Sequence, residues 1–79
     1  MSLEKVFVLM KIDSGELENV ITQLRTISGV TEVSAVTGPY DIIAKVEGEY
    51  ITDALGVVVR EIRKVKGVSS TETLVGVSI

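Results

Sequence analysis

The chain has 79 residues, a formal net charge of −3 and neither cysteine nor histidine, while 46% of its residues are hydrophobic. A chain of this length forms one small domain that buries only about 60% of its unfolded surface, so its own core leaves it marginally stable. The missing cysteines and histidines exclude a disulfide framework and a typical zinc site. Self-association is therefore the expected source of further stability.

The charge pattern argues against nucleic acid and membrane as partners. Basic residues are dispersed, and their densest group, residues 60–66, lies at the end of a predicted helix, where it complements the helix dipole. No apolar run approaches the length of a membrane span, and the first residues lack the apolar region of a signal peptide. The sequence predicts a cytoplasmic protein that binds no nucleic acid directly.

The first half of the chain is predicted to form a strand, a helix and a strand. Residues 4–12 are almost continuously apolar and carry large side chains on both faces, which is typical of a central strand covered on both sides. The helix that follows is predicted to begin at Asp13 or Ser14 as N-cap and to end at Gly29 as C-cap. Residues 30–36 form the second strand. The apolar stripe of the helix consists of Leu17, Val20, Ile21, Leu24 and Ile27.

Residues 37–41, Thr-Gly-Pro-Tyr-Asp, lie at the midpoint of the chain and predict a hairpin turn. Pro39 has no N–H to donate, so the strand ladder must stop there. The elements predicted after the turn are a strand over residues 41–47, a helix over 51–65 that begins near Tyr50 or Thr52 and ends at Gly67, and a strand over 68–79.

The two halves repeat each other. When the second half is aligned on the first, Leu17 falls on Leu55 and Gly29 falls on Gly67. Two βαβ units predict a ferredoxin-like α+β sandwich, with a four-stranded antiparallel sheet in the order 4-1-3-2 and both helices on one face. The other face is left bare with an apolar centre, which predicts a homodimer packed sheet to sheet.

Residues suited to catalysis are scarce. The serines have no histidine base, and the seven glycines do not have phosphate-loop spacing. An RNA-recognition domain of this fold would need several aromatic residues on its central strands, and Phe7 is the only one there. We therefore expect no enzyme activity, no catalytic residue, no metal site and no cofactor.

Polar residues at strand ends are the remaining candidates for a binding site. Asp41 directly follows the turn, and Thr71 and Thr73 are two positions apart, so their hydroxyls share one face of a strand. These residues also have an ordinary structural explanation. An aspartate in a turn commonly bonds nearby backbone, and threonine is frequent in edge strands.

Two segments resemble motifs of the Lrp/AsnC family of amino-acid-responsive transcriptional regulators. Residues 37–46, TGPYDIIAKV, resemble the Gly-x-Tyr-Asp segment of that family. Residues 65–73, VKGVSSTET, resemble its second motif, in which Gly-Val is followed by threonines at the start of the last strand. The resemblance covers nearly the whole chain but only the C-terminal regulatory (RAM) domain of the family. It implies a stand-alone module, residues 1–79, without the helix-turn-helix domain that family members usually carry.

The resemblance also implies a ligand and an assembly. Family dimers pair through their sheet faces as dimeric α-β barrels and form rings, commonly octamers, with free amino acids bound between dimers. By this resemblance Asp41 would accept the ligand ammonium, and the threonines would reach its carboxylate or side chain. Pro39 departs from many relatives and removes one backbone donor. The implied ligand-binding residues are Gly38, Pro39, Tyr40, Asp41, Thr71 and Thr73. Such a module would act through assembly, with the ligand or with full-length relatives.

Other function classes stay open at this point. A purely structural or interaction subunit with a vestigial pocket is favoured if no amino acid protects the protein against heat. An enzyme of the related dimeric α-β barrel type is less favoured, because the chain has no histidine or tryptophan. The ACT-type amino-acid-binding domain shares the predicted fold and ligand class and differs in its assembly.

Overall fold

The computed structural model describes residues 3–77, and the strands within that range form one antiparallel sheet. Its order is β2-β3-β1-β4, which is the predicted order 4-1-3-2 read from the opposite edge. This confirms the ferredoxin-like βαββαβ arrangement. In chain order the elements are β1 (Glu4–Ile12), α1 (Leu17–Leu24), β2 (Val30–Ala35), β3 (Ile42–Gly48), α2 (Ile51–Arg60), a 3-10 helix (Ile62–Lys64) and β4 (Val68–Gly76).

The core lies between the helices and one face of the sheet. Alternate residues of the two central strands are completely buried there, because successive side chains of a strand point to opposite faces. Phe7 and Leu9, which alternate with the buried residues of β1, lie half-buried on the other face. We call that other face the open face. The completely buried core residues are Val6, Val8, Met10, Val20, Leu24, Ile42, Ala44, Val46, Ala54 and Ile62.

The start of α1 differs from the sequence prediction. The helix begins at Leu17, and no side chain caps it, so the prediction of Asp13 or Ser14 as N-cap is wrong. Instead, the N–H of Glu16 donates to the carbonyl of Asp13 over 3.0 Å. A tight backbone turn between β1 and α1 thus replaces the side-chain cap.

The end of α1 also differs, because the helix stops at Leu24 and not near Gly29. The hydroxyl and the N–H of Thr26 both donate to the carbonyl of Gln23, over 2.7 and 3.1 Å. This local bonding tightens the chain and competes with continuation of the α-helix. Gly29 lies in the turn before β2, so its prediction as the helix C-cap is wrong.

The second predicted helix is divided in two. Its α-helical part ends at Arg60, and a 3-10 helix follows after Glu61. Residues three apart lie on the same side of a 3-10 helix, so this winding lets both Ile62 (0% exposed) and Val65 (9% exposed) pack in the core. At the other end, Tyr50 occupies the N-cap position as predicted, and the carboxylate of Asp53 accepts its N–H over 3.2 Å.

The strand bounds agree with the predictions to within one residue where the structure describes them. β2 ends at Ala35, and β3 is displaced by one residue relative to the predicted 41–47. β4 begins at Val68 as predicted, and residues 78–79 of that predicted strand lie outside the described residues. Within residues 3–77, neither α-helix has the length and apolar character needed to span a membrane.

We expect Gly56→Ala to raise the free energy of unfolding by about 0.5–1 kcal/mol, because glycine within a helix is less stable than alanine. Gly56 lies in the middle of α2, and an added Cβ would meet the guanidinium of Arg60 at 2.5–2.9 Å. That group is the end of a flexible side chain and can move away. Urea denaturation of both proteins measures the effect.

An Arg60→Ala background is the matched control for this substitution. The gain from Gly56→Ala should be at least as large there, because the nearest displaced group has been removed. A loss of stability in the wild-type background together with a gain in the control would show that Arg60 packing on Gly56 outweighs the helix propensity.

Candidate functional site

The predicted turn joins β2 and β3 as a hairpin. The two strands pair antiparallel, and the N–H of Val36 donates to the carbonyl of Asp41 over 2.9 Å, which closes the turn. Gly38 and Pro39 lie exposed at its tip. The turn therefore holds Tyr40 and Asp41 beside the end of the central strand β1.

Asp41 is bonded to the backbone of β1 through both its main chain and its side chain. Its N–H donates to the carbonyl of Met10 over 2.9 Å, and its Oδ2 accepts the N–H of Ile12 over 2.8 Å. The register of β1 against β4 shifts between Lys11 and Ile12, so the carboxylate bonds a backbone N–H at an irregular point of the sheet. Asp41 thus has the backbone-bonding role expected of an aspartate in a turn.

Tyr40 lies on the open face and extends from the beginning of β3 to β4. Its hydroxyl donates to the carboxylate of Glu72, and Nζ of Lys11 lies 5.9 Å from the centre of its ring. The hydrogen bond to Glu72, followed by desolvation and the negative charge of Glu72, raises the pKa of Tyr40. Sequence reasoning missed Glu72 and Lys11. The alternation of side chains along a strand could have assigned both residues to one face of the sheet. It could not have shown that they lie beside Tyr40.

Thr71 and Thr73 share a face, as predicted, but it is the face opposite to Tyr40. Thr71 pairs with Met10 and Thr73 with Val8, and both of those partners point into the core under the helices. Directly paired residues of neighbouring strands lie on the same side of a sheet. The predicted site residues therefore form two groups, the turn residues 38–41 and the two threonines, separated by the sheet.

Two surface cavities accompany these groups. The open-face groove has a volume of about 440 Å³ and an almost entirely apolar lining. The β4 cleft has a volume of about 260 Å³ and a largely polar lining at the beginning of β4. The groove is lined by Leu9, Val36, Thr37, Pro39, Tyr40 and Ile43. The cleft is lined by Arg63, Val68, Ser69, Ser70 and Thr71.

We expect Tyr40 to ionise above the ordinary tyrosine pKa of about 10, because the Glu72 contact favours the neutral phenol. A pKa that is raised in the folded state means that this contact stabilises the fold below the ordinary pKa, and that its contribution is lost as the pH rises through the raised value. Tyrosinate absorbance in a Tyr50→Phe background reports Tyr40 alone. Glu72→Gln should lower the measured pKa, and no change in that variant would contradict the contact.

The fold and these groups together define a class of protein: a small ferredoxin-like domain with an uncovered apolar sheet face and polar residues beside it, suited to association and to binding small molecules. Residues 5–78 match the family model of the Lrp/AsnC ligand binding domain, and the chain belongs to this family. This membership supports a role in binding a regulatory effector. The resemblance of the two sequence motifs is thereby confirmed.

Relatives carry similar segments within longer proteins. A homocitrate synthase from Sulfurisphaera tokodaii is 39% identical over 70 residues, which are 87% of this chain and 15% of that protein. An uncharacterised helix-turn-helix transcriptional regulator from Pyrococcus furiosus is 38% identical over an alignment of 72 positions, which covers 87% of this chain and 48% of that protein. The chain therefore spans a small part of the first protein and about half of the second.

Solved structures share the whole fold. The protein TTHA0845 from Thermus thermophilus has a TM-score of 0.88 at 30% identity, with 96% of this chain and 95% of that chain covered. AsnC from Escherichia coli has a TM-score of 0.85 at 29% identity, with 96% of this chain and 52% of that chain covered.

Proposed function

We propose that the chain is an amino-acid-sensing module that acts through its state of assembly, without enzyme activity and without reading DNA itself. The observation that carries this proposal is the position of the predicted ligand-binding residues in this domain. They form two polar groups that lie on opposite sides of one sheet. A single ligand contacts both groups most readily where two subunits meet. Binding and assembly are then parts of one event.

The open face supports a homodimer packed sheet to sheet. Phe7, Leu9 and Ile43 form its apolar centre, together with Leu74, which is 48% exposed. Charged residues of both signs surround this centre, so a second copy related by a twofold axis can cover it while pairing opposite charges. The surrounding charged residues on this face are Lys5, Lys11, Glu32, Lys45, Glu47 and Glu72.

The turn supplies groups for the charged ends of an amino acid. Asp41 is exposed and uses Oδ2 for the Ile12 N–H, so its Oδ1 remains to accept the ligand ammonium. The backbone of Gly38 and Tyr40 would bind the polar ends of the ligand, while Pro39 supplies no N–H. Thr71 and Thr73 of a neighbouring dimer would contact the carboxylate or the side chain.

The proposed mechanism follows from linkage. A ligand held between dimers binds the assembled state better than the separate dimers, so it shifts the equilibrium towards a ring, such as an octamer, by the difference in affinity. Full-length relatives that carry a DNA-binding domain would join such rings through the same surfaces. The module would then change transcription by changing which rings form.

Native mass spectrometry against a panel of the common amino acids tests this proposal. We expect one amino acid to bind at a fixed ratio to subunits and to increase the population of the larger assembly. Asp41→Asn keeps an oxygen for the Ile12 N–H but loses the charge that holds the ammonium, so it should fold normally and lose the ligand. Asp13→Asn is the control, since it removes an exposed carboxylate outside the proposed site. Binding that is unchanged in Asp41→Asn would refute the role of Asp41.

A stable oligomer that binds no amino acid would refute sensing and leave a structural subunit. The similarity to homocitrate synthase favours a second candidate function, in which the chain regulates a biosynthetic enzyme and not a DNA-binding relative. Affinity capture from the source cells followed by mass spectrometry distinguishes the two candidate functions. A module that assembles with DNA-binding relatives should capture a helix-turn-helix protein, and a module that regulates a biosynthetic enzyme should capture that enzyme.

A further inference from the structure

The β4 cleft contains a guanidinium that the proposed amino-acid site does not use, and Thr71 is the one residue that it shares with that site. The cleft is lined by Arg63 and by three residues that carry hydroxyls, and Val68 is the sole apolar residue of the set. No carboxylate belongs to this lining, although the chain as a whole has a net charge of −3. The cleft is therefore a positively charged, donor-rich cavity on an acidic protein.

A β-bulge explains how residues that are adjacent in sequence line one cavity. In a regular strand, successive side chains face opposite sides. Here Ser70 pairs with Lys11 and Val68 pairs with Ile12, which leaves Ser69 as an extra residue. The bulge interrupts the alternation and redirects side chains, as bulges beside functional sites often do. The hydroxyl of Ser69 donates to the Lys11 carbonyl over 2.9 Å, which holds this segment in place.

Arg63 reaches the cleft from the 3-10 helix. The flanking residues Ile62 and Val65 are packed in the core, so the backbone that carries Arg63 is firmly anchored, while Arg63 itself is exposed. The change from α to 3-10 winding after Arg60 places Arg63 at the beginning of β4. The 3-10 helix on one wall of the cleft and the β-bulge on the other thus bring the polar residues of the cleft together.

The size and polarity of the cleft select a class of ligand. A guanidinium presents its donors as a fork that matches a carboxylate or a phosphate group. A volume of about 260 Å³ lies just below the range of roughly 300–1,000 Å³ that is typical of pockets for drug-sized ligands. β4 is an edge strand of the described sheet, so its outer backbone N–H groups add donors. These features fit a small hydrophilic anion.

We propose that the β4 cleft binds a small oxyanion, the carboxylate or phosphate group of a metabolite, with Arg63 as the main contact. The hydroxyl of Thr71, which lies on the face of the sheet that the helices cover, donates to the same anion. This site is complete within one chain, whereas the proposed amino-acid site needs two subunits. The anion site therefore does not depend on amino-acid sensing.

Titrations with inorganic phosphate and with succinate, each compared with chloride at equal ionic strength, test the site. Calorimetry measures the affinity, and backbone amide NMR shifts locate the bound anion. We expect saturable shifts at residues 69–71, and an affinity that falls roughly tenfold or more in Arg63→Gln. Arg60→Gln is the matched control, because it removes the same charge three residues earlier, where the guanidinium lies against Gly56. A response to phosphate alone or to succinate alone identifies the class of anion.

The proposal is overturned if neither anion gives saturable shifts at residues 69–71. It is also overturned if Arg60→Gln weakens binding as much as Arg63→Gln, since that would indicate general attraction to positive charge. The two proposals fail separately. Asp41→Asn should lose the amino acid and retain the anion, while Arg63→Gln should lose the anion and retain the amino acid. Loss of both ligands in either variant would refute the assignment of two sites.

Discussion

Replacing Leu9 with lysine should convert the proposed sheet-to-sheet dimer into monomers. Leu9 lies half-buried at the centre of the open face, between Ile43 on β3 and Glu72 on β4. A twofold dimer would bury two copies of the introduced charge, and Lys5 and Lys11 on the same face of β1 would repel each of them. Glu72, directly opposite, already accepts the Tyr40 hydroxyl, and the desolvation of a buried charge costs several kcal/mol even where a partner is near. A cost of about 2 kcal/mol per copy already raises the dissociation constant roughly 1,000-fold.

Sedimentation equilibrium over a range of protein concentrations measures this effect, and circular dichroism checks that the variant is folded. Leu17→Lys is the control, because Leu17 is 41% exposed on α1 and lies on the opposite side of the sheet. That variant should remain associated. Leu9→Thr keeps a residue suited to strands and should weaken the dimer less than lysine does. A Leu9→Lys protein that is as tightly associated as the wild type would place the dimer interface on another surface.

The sheet could be predicted from the sequence because its signals are local and repeated. The apolar residues of β1 on both faces indicated a central strand, and the duplicated βαβ pattern then determined the strand order. Both inferences depend on spacing within a short segment, where the alternation of side chains is fixed by backbone geometry. The structure confirms both.

The helix ends could not be predicted, since core packing determines one of them and a local side-chain hydrogen bond determines the other. The 3-10 winding after Arg60 is favoured because it packs Ile62 and Val65 together in the core, and the sequence pattern alone is equally compatible with a longer α-helix. The end of α1 depends on the bonding of Thr26 to one carbonyl, which propensity does not reveal.

The candidate site was predicted in part for a similar reason. Spacing shows that Thr71 and Thr73 share a face, but only pairing with β1 shows which face it is. The contact between Tyr40 and Glu72 joins residues 32 positions apart in sequence and crosses a strand, so no local pattern contains it. The bulge at Ser69 likewise arises from the pairing of two strands. Arg63 was therefore interpreted from the sequence only as a helix-end charge.

Gly67→Ala should cause the largest loss of stability among the single substitutions considered. Gly67 is buried before β4 with a φ of +103°, a left-handed conformation that costs other residues about 1–2 kcal/mol. An added Cβ would lie 2.8 Å from Cβ of Glu16 and 2.9 Å from Cγ2 of Val20, so α1 would have to move. Overpacking of this kind costs about 1–3 kcal/mol. The expected loss is thus about 2–5 kcal/mol, measured by urea denaturation.

Gly15→Ala separates the two contributions. Gly15 also has a positive φ, +83°, but an added Cβ there would meet no atom within 4 Å. Its substitution should therefore show only the backbone cost, about 1–2 kcal/mol. The difference between the two variants measures how tightly α1 is held against the beginning of β4, where the Asp13 N–H donates to the Gly67 carbonyl over 2.8 Å. Equal losses would show that α1 moves freely.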